Sequence, residues 1–403
     1  MRRVAITGMG AICALGHDAG STWTAMCEGR SGIGPIANIP TELLNVKIAA
    51  EVRGFDPAAH FDSKRLPLLD RVSQFALVAA REAVAQSGLD FRANALGDRT
   101  ACVIGTGIGG ENSHNEQSRR FYGDKNPRVH PLTILRVMAN APACHVGIEF
   151  GLRGPTFAMV SACASANHAM SQAFDMVRSG RVAVAVTGGS EACITEPTLK
   201  AWEAMRVTAD DTCRPFCKQR RGMVLGEGAG IYVLEEWEHA KARGANILAE
   251  FAGSGMTADA VDMVFPAQAT VARAMELALS DAGLAPEGVD YINAHGTGTP
   301  ANDPTETKAI HLAFGAHADK LAVSSTKSTH GHALGAAGAI ELVAAIGALR
   351  DGVIPPTANF IDADPECDLD YVPNTPREKS VRAVLSNSFA FGGLNCVVAL
   401  KSA

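Results

Sequence analysis

A single cysteine lies where a strand-like segment meets a helical one. Residues 156–161 have the pattern of a short strand, and a small-residue helix follows from Cys163 to residue 178. At such a turn the free N–H groups and the positive end of the helix dipole stabilise a thiolate. The position therefore predicts a nucleophile, and a buried structural thiol is the alternative interpretation of this motif alone.

Two histidines stand at the ends of predicted elements in the second half of the chain. His295 follows a predicted strand over 289–294 and begins the run His-Gly-Thr-Gly-Thr, whose amides and hydroxyls suit a ligand site at a strand end. His332 lies just before a small-residue helix over 334–350, as Cys163 lies at the start of a helix in the first half. A pseudo-twofold axis between the halves would bring Cys163 and His332 into one cavity.

Metal and nucleotide sites are the alternatives to nucleophilic chemistry. His330 and His332 have a spacing that a metal could use, yet no HExxH or paired-carboxylate motif accompanies them, and no metal site is predicted. Residues 105–110 satisfy GxGxxG after a strand, but polar residues 111–117 follow instead of the apolar start of a crossover helix. The dinucleotide fingerprint therefore fails its context, and no bound cofactor is predicted.

The elements that must position these residues occur twice. A predicted helix ending at Gly88 leads into a strand over 100–104, and a predicted helix ending at Gly283 leads into the strand over 289–294. The two small-residue helices form a second matching pair. We therefore expect two α/β halves, packed face to face, each with a largely parallel and covered sheet. The predicted units are residues 1–250 and 251–403.

Three further segments complete this expectation. Residues 3–6 are expected to form an opening strand that ends in a tight turn at 8–10. Residues 248–265 are expected to cross over between the halves. Residues 111–128 and 203–221 are charged and lack clear periodicity, which favours surface excursions near a site.

Composition and charge exclude several classes of protein. The length of 403 residues allows two compact units, and 47% hydrophobic residues with 40 glycines argue against disorder. The net charge of -6 gives no basic surplus, so no nucleic-acid partner is predicted. Apolar runs are too short for a membrane helix or a signal peptide, so no integral membrane segment and a cytoplasmic location are predicted. The ten scattered cysteines are expected to be mostly reduced thiols.

Four separated motifs together resemble the β-ketoacyl-[acyl carrier protein] synthases of the thiolase superfamily, in particular the elongating synthase II type. They are Ser-Ala-Cys-Ala-Ser around Cys163, Asn-Ala-His-Gly-Thr-Gly-Thr around His295, and residues 327–338 and 387–395. This resemblance implies the duplicated thiolase fold, a five-layered αβαβα sandwich, as a homodimer. It also implies an acyltransferase that performs decarboxylative Claisen condensation in fatty-acid or specialised acyl-chain elongation.

The resemblance implies a catalytic role for five side chains. Cys163 would hold an acyl group as a thioester. His295 and His332 would promote loss of carbon dioxide from malonyl-[acyl carrier protein] and donate hydrogen bonds to the enolate oxygen. Lys327 and Glu341 would form a charged pair that organises His332.

Further residues are implied to bind the substrate or its carrier. The backbone N–H groups of Cys163 and Phe391 would form the oxyanion hole, and Phe391 would gate the acyl pocket. The carrier protein would supply the phosphopantetheine arm, held by Thr297 and Thr299, and Ile108 would tune acyl-chain length. The implied substrate-binding residues are Ile108, Trp202, Thr297, Thr299, Phe389 and Phe391. Because acidic carriers favour basic surfaces, the candidate docking residues are Lys64, Arg65 and Arg206, with ordinary solvated charges as the alternative.

Several positions depart from the pattern of housekeeping relatives. Ala390 and Leu394 replace Gly and Thr in the gate loop, and Thr198, Lys200 and Trp202 stand where small or apolar residues are expected near the acyl pocket. Glu196 likewise replaces a small or apolar residue, and Cys217 and Arg221 replace acidic residues of the housekeeping relatives. We therefore hypothesise a pathway-specific synthase, of the nodulation type that makes specialised acyl chains.

Two other functions remain open from the motifs. A thiolase-type coenzyme A acyltransferase would normally use a second catalytic cysteine, and Cys396 lies after Gly392-Gly393 rather than in a Cys-Gly-Gly context. A noncatalytic partner subunit that sets chain length would usually lack the nucleophile, which Cys163 supplies here.

Overall fold

Ten strands form one mixed sheet in the computed structural model, which describes residues 1–403. With the four strands of two small sheets, the chain has fourteen strands: β1 (Val4–Cys13), β2 (Gly34–Pro35), β3 (Ile48–Ala49), β4 (Thr100–Gly105), β5 (Thr156–Met159), β6 (Val184–Glu191), β7 (Gly228–Glu236), β8 (Ala249–Ala258), β9 (Tyr291–Asn293), β10 (Ala322–Ser324), β11 (Val353–Ile354), β12 (Arg377–Glu378), β13 (Ala383–Ala390) and β14 (Leu394–Lys401). β2 pairs with β3 and β11 with β12 outside the large sheet.

Twelve α-helices accompany these strands. They are α1 (Ala19–Cys27), α2 (Arg71–Ser87), α3 (Glu111–Ser118), α4 (Thr133–Val137), α5 (Ala141–Phe150), α6 (Ser165–Arg178), α7 (Glu196–Ala204), α8 (Trp237–Ala242), α9 (Gln268–Ala282), α10 (Asn302–Phe314), α11 (Lys327–His330) and α12 (Ala337–Asp351). The predicted glycine stops are confirmed, since α2 and α9 end at Gly88 and Gly283 with φ of 68° and 60°. α2 begins at Arg71 rather than 68, because the Asp70 carboxylate accepts from the N–H of Val72 and caps the helix there.

The duplication appears as two identical strand orders. The sheet runs β10-β9-β13-β14-β8-β1-β7-β6-β4-β5, so each half places its third, second, fourth, fifth and first strands side by side. β4 is parallel to β5 and β6, and β9 is parallel to β10 and β13. β7 and β14 run antiparallel to both of their neighbours. Each half is therefore largely parallel with one reversed strand.

The two halves are joined at strand edges as well as through helices. β1 and β8 pair antiparallel through Val4 and Phe251, so the sheets of the two halves are continuous rather than only packed face to face. α6 and α12 pack between the halves, and each contacts strands of both. The side-chain amide of Asn167 in α6 donates to the carbonyls of Ser386 and Cys396, at 3.1 and 3.2 Å.

Five layers result from this arrangement. α2 and α5 cover the outer face of the first half, α9 and α10 that of the second, and α6 with α12 form the middle layer between the two sheet regions. The thiolase-type αβαβα sandwich is confirmed. The boundary at residue 250 stays a prediction.

Two local predictions are wrong. β1 does not end in a turn at 8–10 but continues to Cys13, because Gly8 and Gly10 let the strand approach α2: a Cβ on either would lie about 2 Å from the carbonyl oxygen of Ala83 or Ala79. Residues 248–265 are not a simple crossover, since most of them form β8 at the centre of the sheet.

Candidate active site

Cys163 lies in a tight turn after β5 and just before α6. The turn, Ala162–Ala164, begins with Ala162 at a φ of +49°, a strained value for a residue with a side chain. Ser165 holds it there, since its hydroxyl donates to the Ala162 carbonyl at 2.6 Å and accepts from the Ser161 N–H at 2.9 Å. The backbone N–H of Cys163 itself donates to no backbone carbonyl.

His295 follows β9 and is fixed through its backbone. Its N–H and that of Gly296 each donate to one carboxylate oxygen of Glu306, at 2.8 Å. The Lys327 ammonium donates to the His295 carbonyl oxygen at 2.5 Å and lies 3.4 Å from Nδ1 of the ring. Because an ammonium can only donate, Nδ1 accepts and the neutral ring carries its proton on Nε2.

Lys327 and Glu341 form the expected ion pair, and both side chains are fully buried. Lys327 begins α11 and Glu341 lies in the first turns of α12. Burial raises the pKa of the Glu341 carboxyl, and the charge of Lys327 opposes that rise. The pair thus holds the Lys327 ammonium beside His295.

His332 faces His295 from the turn between α11 and α12. Its N–H donates to the Val224 carbonyl at 2.7 Å, and neither ring nitrogen has a hydrogen-bond partner in the protein. The His295 and His332 rings are 5.4 Å apart and nearly perpendicular. Burial, and then the charge of Lys327, lower the pKa of both rings well below 6.5. Two neutral imidazoles with free N–H groups therefore share one space.

His330 takes no part in this pair. It is buried and its Nε2 lies 3.1 Å from the Thr326 hydroxyl, while His332 lines the cavity.

The glycine-rich turn after β4, residues 105–110, has its N–H groups directed at a carboxylate of the protein itself. The N–H groups of Gly107 and Ile108 donate to Glu191.

One cavity of about 250 Å³ brings together most of the predicted residues. The hydroxyls of Thr297 and Thr299 are 2.9 Å apart, and the rings of Trp202 and Phe391 stack at 5.8 Å with an angle of 27°. The predicted residues that line the cavity are Cys163, Trp202, His295, Thr297, Thr299, His332, Phe389 and Phe391.

The state of the Cys163 thiol differs from the expected thiolate. Burial raises its pKa to about 12, and the nearby charge of Lys327 offsets only part of that rise. The apolar cavity raises the pKa of the thiol more than the helix N-terminus, on which the sequence-based prediction relied, lowers it. The thiol is therefore protonated at neutral pH, and its proton must leave when the sulfur is acylated.

Besides the buried pair Lys327 and Glu341, four predicted residues lie outside the cavity lining. The Ile108 side chain is 40% exposed and does not line it. Arg65 is paired with Glu149, so that guanidinium is already engaged. Lys64 and Arg206 are exposed, and Arg206 lies between the cavity-lining residues Met205 and Val207.

Several residues of the site were missed from the sequence. Glu306 holds the backbone of His295 in place. It could have been recognised as a carboxylate on the same buried face of α10 as Ile310, where an apolar residue is usual. An apolar segment after β8 also lines the cavity, and no periodicity distinguishes it. Its lining residues are Val264, Phe265 and Pro266.

Comparison with known families agrees with this geometry. The family described as "Beta-ketoacyl synthase, N-terminal domain" matches residues 1–240, and "Beta-ketoacyl synthase, C-terminal domain" matches residues 248–361. The chain belongs to the β-ketoacyl synthase family. This β-ketoacyl synthase is an acyltransferase of the condensing type, acting in fatty-acid or specialised acyl-chain elongation.

Relatives extend over the whole chain of this β-ketoacyl synthase. It is 51% identical over 403 residues to Nodulation protein E of Rhizobium meliloti (strain 1021), covering 99% of each chain. It is 43% identical over 408 residues to 3-oxoacyl-[acyl-carrier-protein] synthase 2 of Staphylococcus aureus (strain COL), covering 99% and 98%. A solved structure described as the ishigamide ketosynthase/chain length factor has a TM-score of 0.95 at 36% identity, covering 100% and 99%.

Proposed function

We propose that this β-ketoacyl synthase uses Cys163 to accept an acyl group from an acyl carrier protein and then extends it with malonyl-carrier protein. The observation that carries this assignment is the single cavity lined by Cys163, His295 and His332. The carrier protein is inferred from the similarity to 3-oxoacyl-[acyl-carrier-protein] synthase 2. Its phosphopantetheine arm brings the thioester, so the enzyme needs no cofactor of its own.

In the first stage the Cys163 sulfur attacks the carbonyl carbon of the acyl thioester. The carbonyl oxygen becomes an oxyanion, which accepts from the backbone N–H groups of Cys163 and Phe391; neither group donates to a backbone carbonyl. The intermediate collapses, the bond to the pantetheine sulfur breaks, and the proton lost by Cys163 ends on that departing thiol. The neutral ring of His332, whose two nitrogens have no hydrogen-bond partner in the protein, is the base within the cavity that can relay this proton.

In the second stage malonyl-carrier protein loses carbon dioxide, and the electron pair of the broken carbon–carbon bond forms an enolate. The neutral rings of His295 and His332 donate N–H groups to its oxygen. The enolate carbon attacks the Cys163 thioester, a carbon–carbon bond forms and the carbon–sulfur bond breaks. The released sulfur takes up one proton, and the product is a β-ketoacyl chain two carbons longer.

Carrier docking is proposed on the surface beside Arg206. Lys64 and Arg206 are exposed, and an acidic carrier would be attracted to them. Arg65 contributes less because its guanidinium is already paired with Glu149, a carboxylate that Arg81 shares. The hydroxyls of Thr297 and Thr299 inside the cavity can form hydrogen bonds with the amide groups of the phosphopantetheine arm.

A homodimer is proposed from the free edge of the sheet. β5 is the last strand, so one side of its backbone lacks a neighbouring strand. Large apolar side chains are exposed at Val160 (55%) directly after β5, at Ile148 (74%) on α5, which contacts β5, and at Ile134 (70%) on α4, which contacts α5. A second copy would cover these groups, and Ile108 would then act on chain length next to that interface.

A specialised pathway is proposed from the similarity to Nodulation protein E together with the departures at Thr198, Trp202, Ala390 and Leu394. Replacement of a housekeeping synthase in cells tests this: failure to restore growth is expected, and full rescue with an unchanged lipid profile would contradict it.

No helix of the chain has both the length and the apolar character needed to cross a membrane. The cytoplasmic location stays a prediction.

Intact-protein mass spectrometry tests the condensing function directly. The enzyme is mixed with a panel of acyl-carrier proteins and then with malonyl-carrier protein. Acylation of the enzyme followed by a β-keto product two carbons longer is expected. No acylation across the panel would favour a noncatalytic partner subunit instead.

A further inference from the structure

A buried carboxylate outside the cavity lining joins the two halves of the active site. Glu191 ends β6 and is fully buried. Its Oε2 accepts from the N–H groups of Gly107 at 2.6 Å and Gly335 at 3.0 Å. Its Oε1 accepts from the Thr106 hydroxyl at 3.1 Å and the Ile108 N–H at 3.3 Å.

These donors belong to turns from opposite halves of the chain. Thr106, Gly107 and Ile108 follow β4 in the first half, whereas Gly335 lies three residues after His332 in the second. The turns are in close contact, since a Cβ on Gly335 would lie 2.1 Å from the Gly107 nitrogen.

The first-half turn also lies against the turn that holds the nucleophile. A Cβ on Gly107 would be 3.8 Å from the carbonyl oxygen of Ala162, the residue before Cys163. Glu191 thus connects the backbone beside Cys163 with the backbone that follows His332.

We propose that Glu191 is a positioning residue for the condensation step, whose carboxylate sets the placement of His332 relative to Cys163. This inference rests on the proposed function of Cys163 and His332. Glu191 does not line the cavity, so it acts through the two turns and not on the substrate.

The hydrogen bonds favour the ionised form of Glu191. Three of its four partners are N–H groups that can only donate, so a proton on the carboxyl could be donated only to the Thr106 hydroxyl oxygen. Burial raises the pKa of Glu191 to about 7, against the effect of these hydrogen bonds.

Two thiols are the titratable groups nearest to Glu191, and further charged groups act on these thiols. The thiols of Cys163 and Cys193 face it, and the charge of Lys327 acts on Cys163 from α11. Glu111 of α3 and Glu227 before β7 act on Cys193, and Glu227 is itself paired with Arg71. Lowering the pH through 7 therefore protonates Glu191, loosens the two turns and slows condensation.

The test compares Glu191→Gln with Glu51→Gln. Glu51 is a matched control, because it is also a buried carboxylate that accepts two backbone N–H groups, those of Ala37 and Asn38, and it does not line the cavity. Acylation of Cys163 and formation of the β-keto product are measured separately as a function of pH, and melting curves report folding.

Wild-type condensation is expected to fall with an apparent pKa near 7 as the pH is lowered. Glu191→Gln is expected to condense about 100-fold more slowly at high pH, the scale of a small misplacement, without that acid limb and with Cys163 acylation retained. Glu191→Asp keeps a carboxylate and is expected to keep the acid limb. Glu51→Gln is expected to match the wild type.

An unchanged rate and acid limb in Glu191→Gln would overturn the inference. Equal losses of acylation and condensation that follow a loss of folded protein in both Glu191 variants would overturn it too, since they show a purely structural role. A wild-type enzyme that forms no β-keto product would instead overturn the proposed function.

Discussion

The Lys327 ammonium contacts His295 twice, through the carbonyl oxygen at 2.5 Å and beside Nδ1 at 3.4 Å. Through these contacts Lys327 fixes the tautomer of His295 and leaves Nε2–H free for the cavity. Glu341 on α12 neutralises the buried ammonium. The catalytic use of His295 thus depends on a charge pair that never needs to touch the substrate.

Removing Lys327 is expected to damage both stability and condensation. Lys327→Ala leaves Glu341 buried without its partner, a loss of about 3–5 kcal/mol in the free energy of unfolding. Chemical denaturation measures this, and the double variant Lys327→Ala/Glu341→Ala should recover part of the loss. A single variant as stable as the wild type would contradict the pairing.

The two cavity histidines are expected to stay neutral well below pH 6.5. Burial and the positive charge of Lys327 both oppose protonation, so the pKa of each ring lies below its ordinary value and the proton is gained only at more acidic pH. Nitrogen-15 NMR of histidine-labelled protein, assigned with His295→Asn and His332→Asn, measures both titrations. Lys327→Met should raise both pKa values. A midpoint near 6.5 for either ring in the wild type would contradict the burial argument.

Trp202 is expected to limit which acyl chains reach Cys163. Its indole stacks on Phe391 and lines the cavity, so Trp202→Ala removes the stack and enlarges the space. Acylation with a series of chain lengths should shift toward longer or bulkier chains, whereas Trp202→Phe should retain the wild-type preference. Trp237→Phe, at a tryptophan that packs on Arg3 away from the cavity, is the control. An unchanged chain preference in Trp202→Ala would exclude this role.

Arg206 is expected to contribute to carrier binding rather than to chemistry. Arg206→Glu should raise KM for acyl-carrier protein about tenfold, the loss of roughly one favourable charge contact, with kcat maintained. Kinetics with a pantetheine thioester that lacks the carrier should not change. Lys308→Glu, on an exposed position of α10, is the control. Equal effects of the two substitutions would assign Arg206 to the ordinary surface charge.

The repeated helices and strands could be predicted because their signals are local. Gly88 and Gly283 mark helix ends by their own conformation, and Cys163 stands at a strand-to-helix turn that needs no distant contact to identify. The motifs around His295 and Lys327 were separated in sequence, so their meeting followed from the resemblance and the duplication. The structure places them around one cavity.

Properties that depend on distant packing could not be predicted. The edge pairing of Val4 with Phe251 has no local signal, and neither does the approach of Gly8 to Ala83. The pKa of Cys163 follows from enclosure by residues of both halves, which outweighs the local helix end. The position of Ile108 outside the cavity lining also depends on how the turn is held by Glu191.

The most direct measurement is the mass of the enzyme after exposure to acyl-carrier proteins, for the wild type, Cys163→Ala and Cys396→Ala. Cys396 is the control, because it is buried beside Ser171 and does not line the cavity. The wild type and Cys396→Ala should gain one acyl group and release a β-keto product two carbons longer after malonyl-carrier protein is added, while Cys163→Ala gains none. Acylation that persists in Cys163→Ala, or that disappears in Cys396→Ala, would contradict the assignment of Cys163 as the nucleophile.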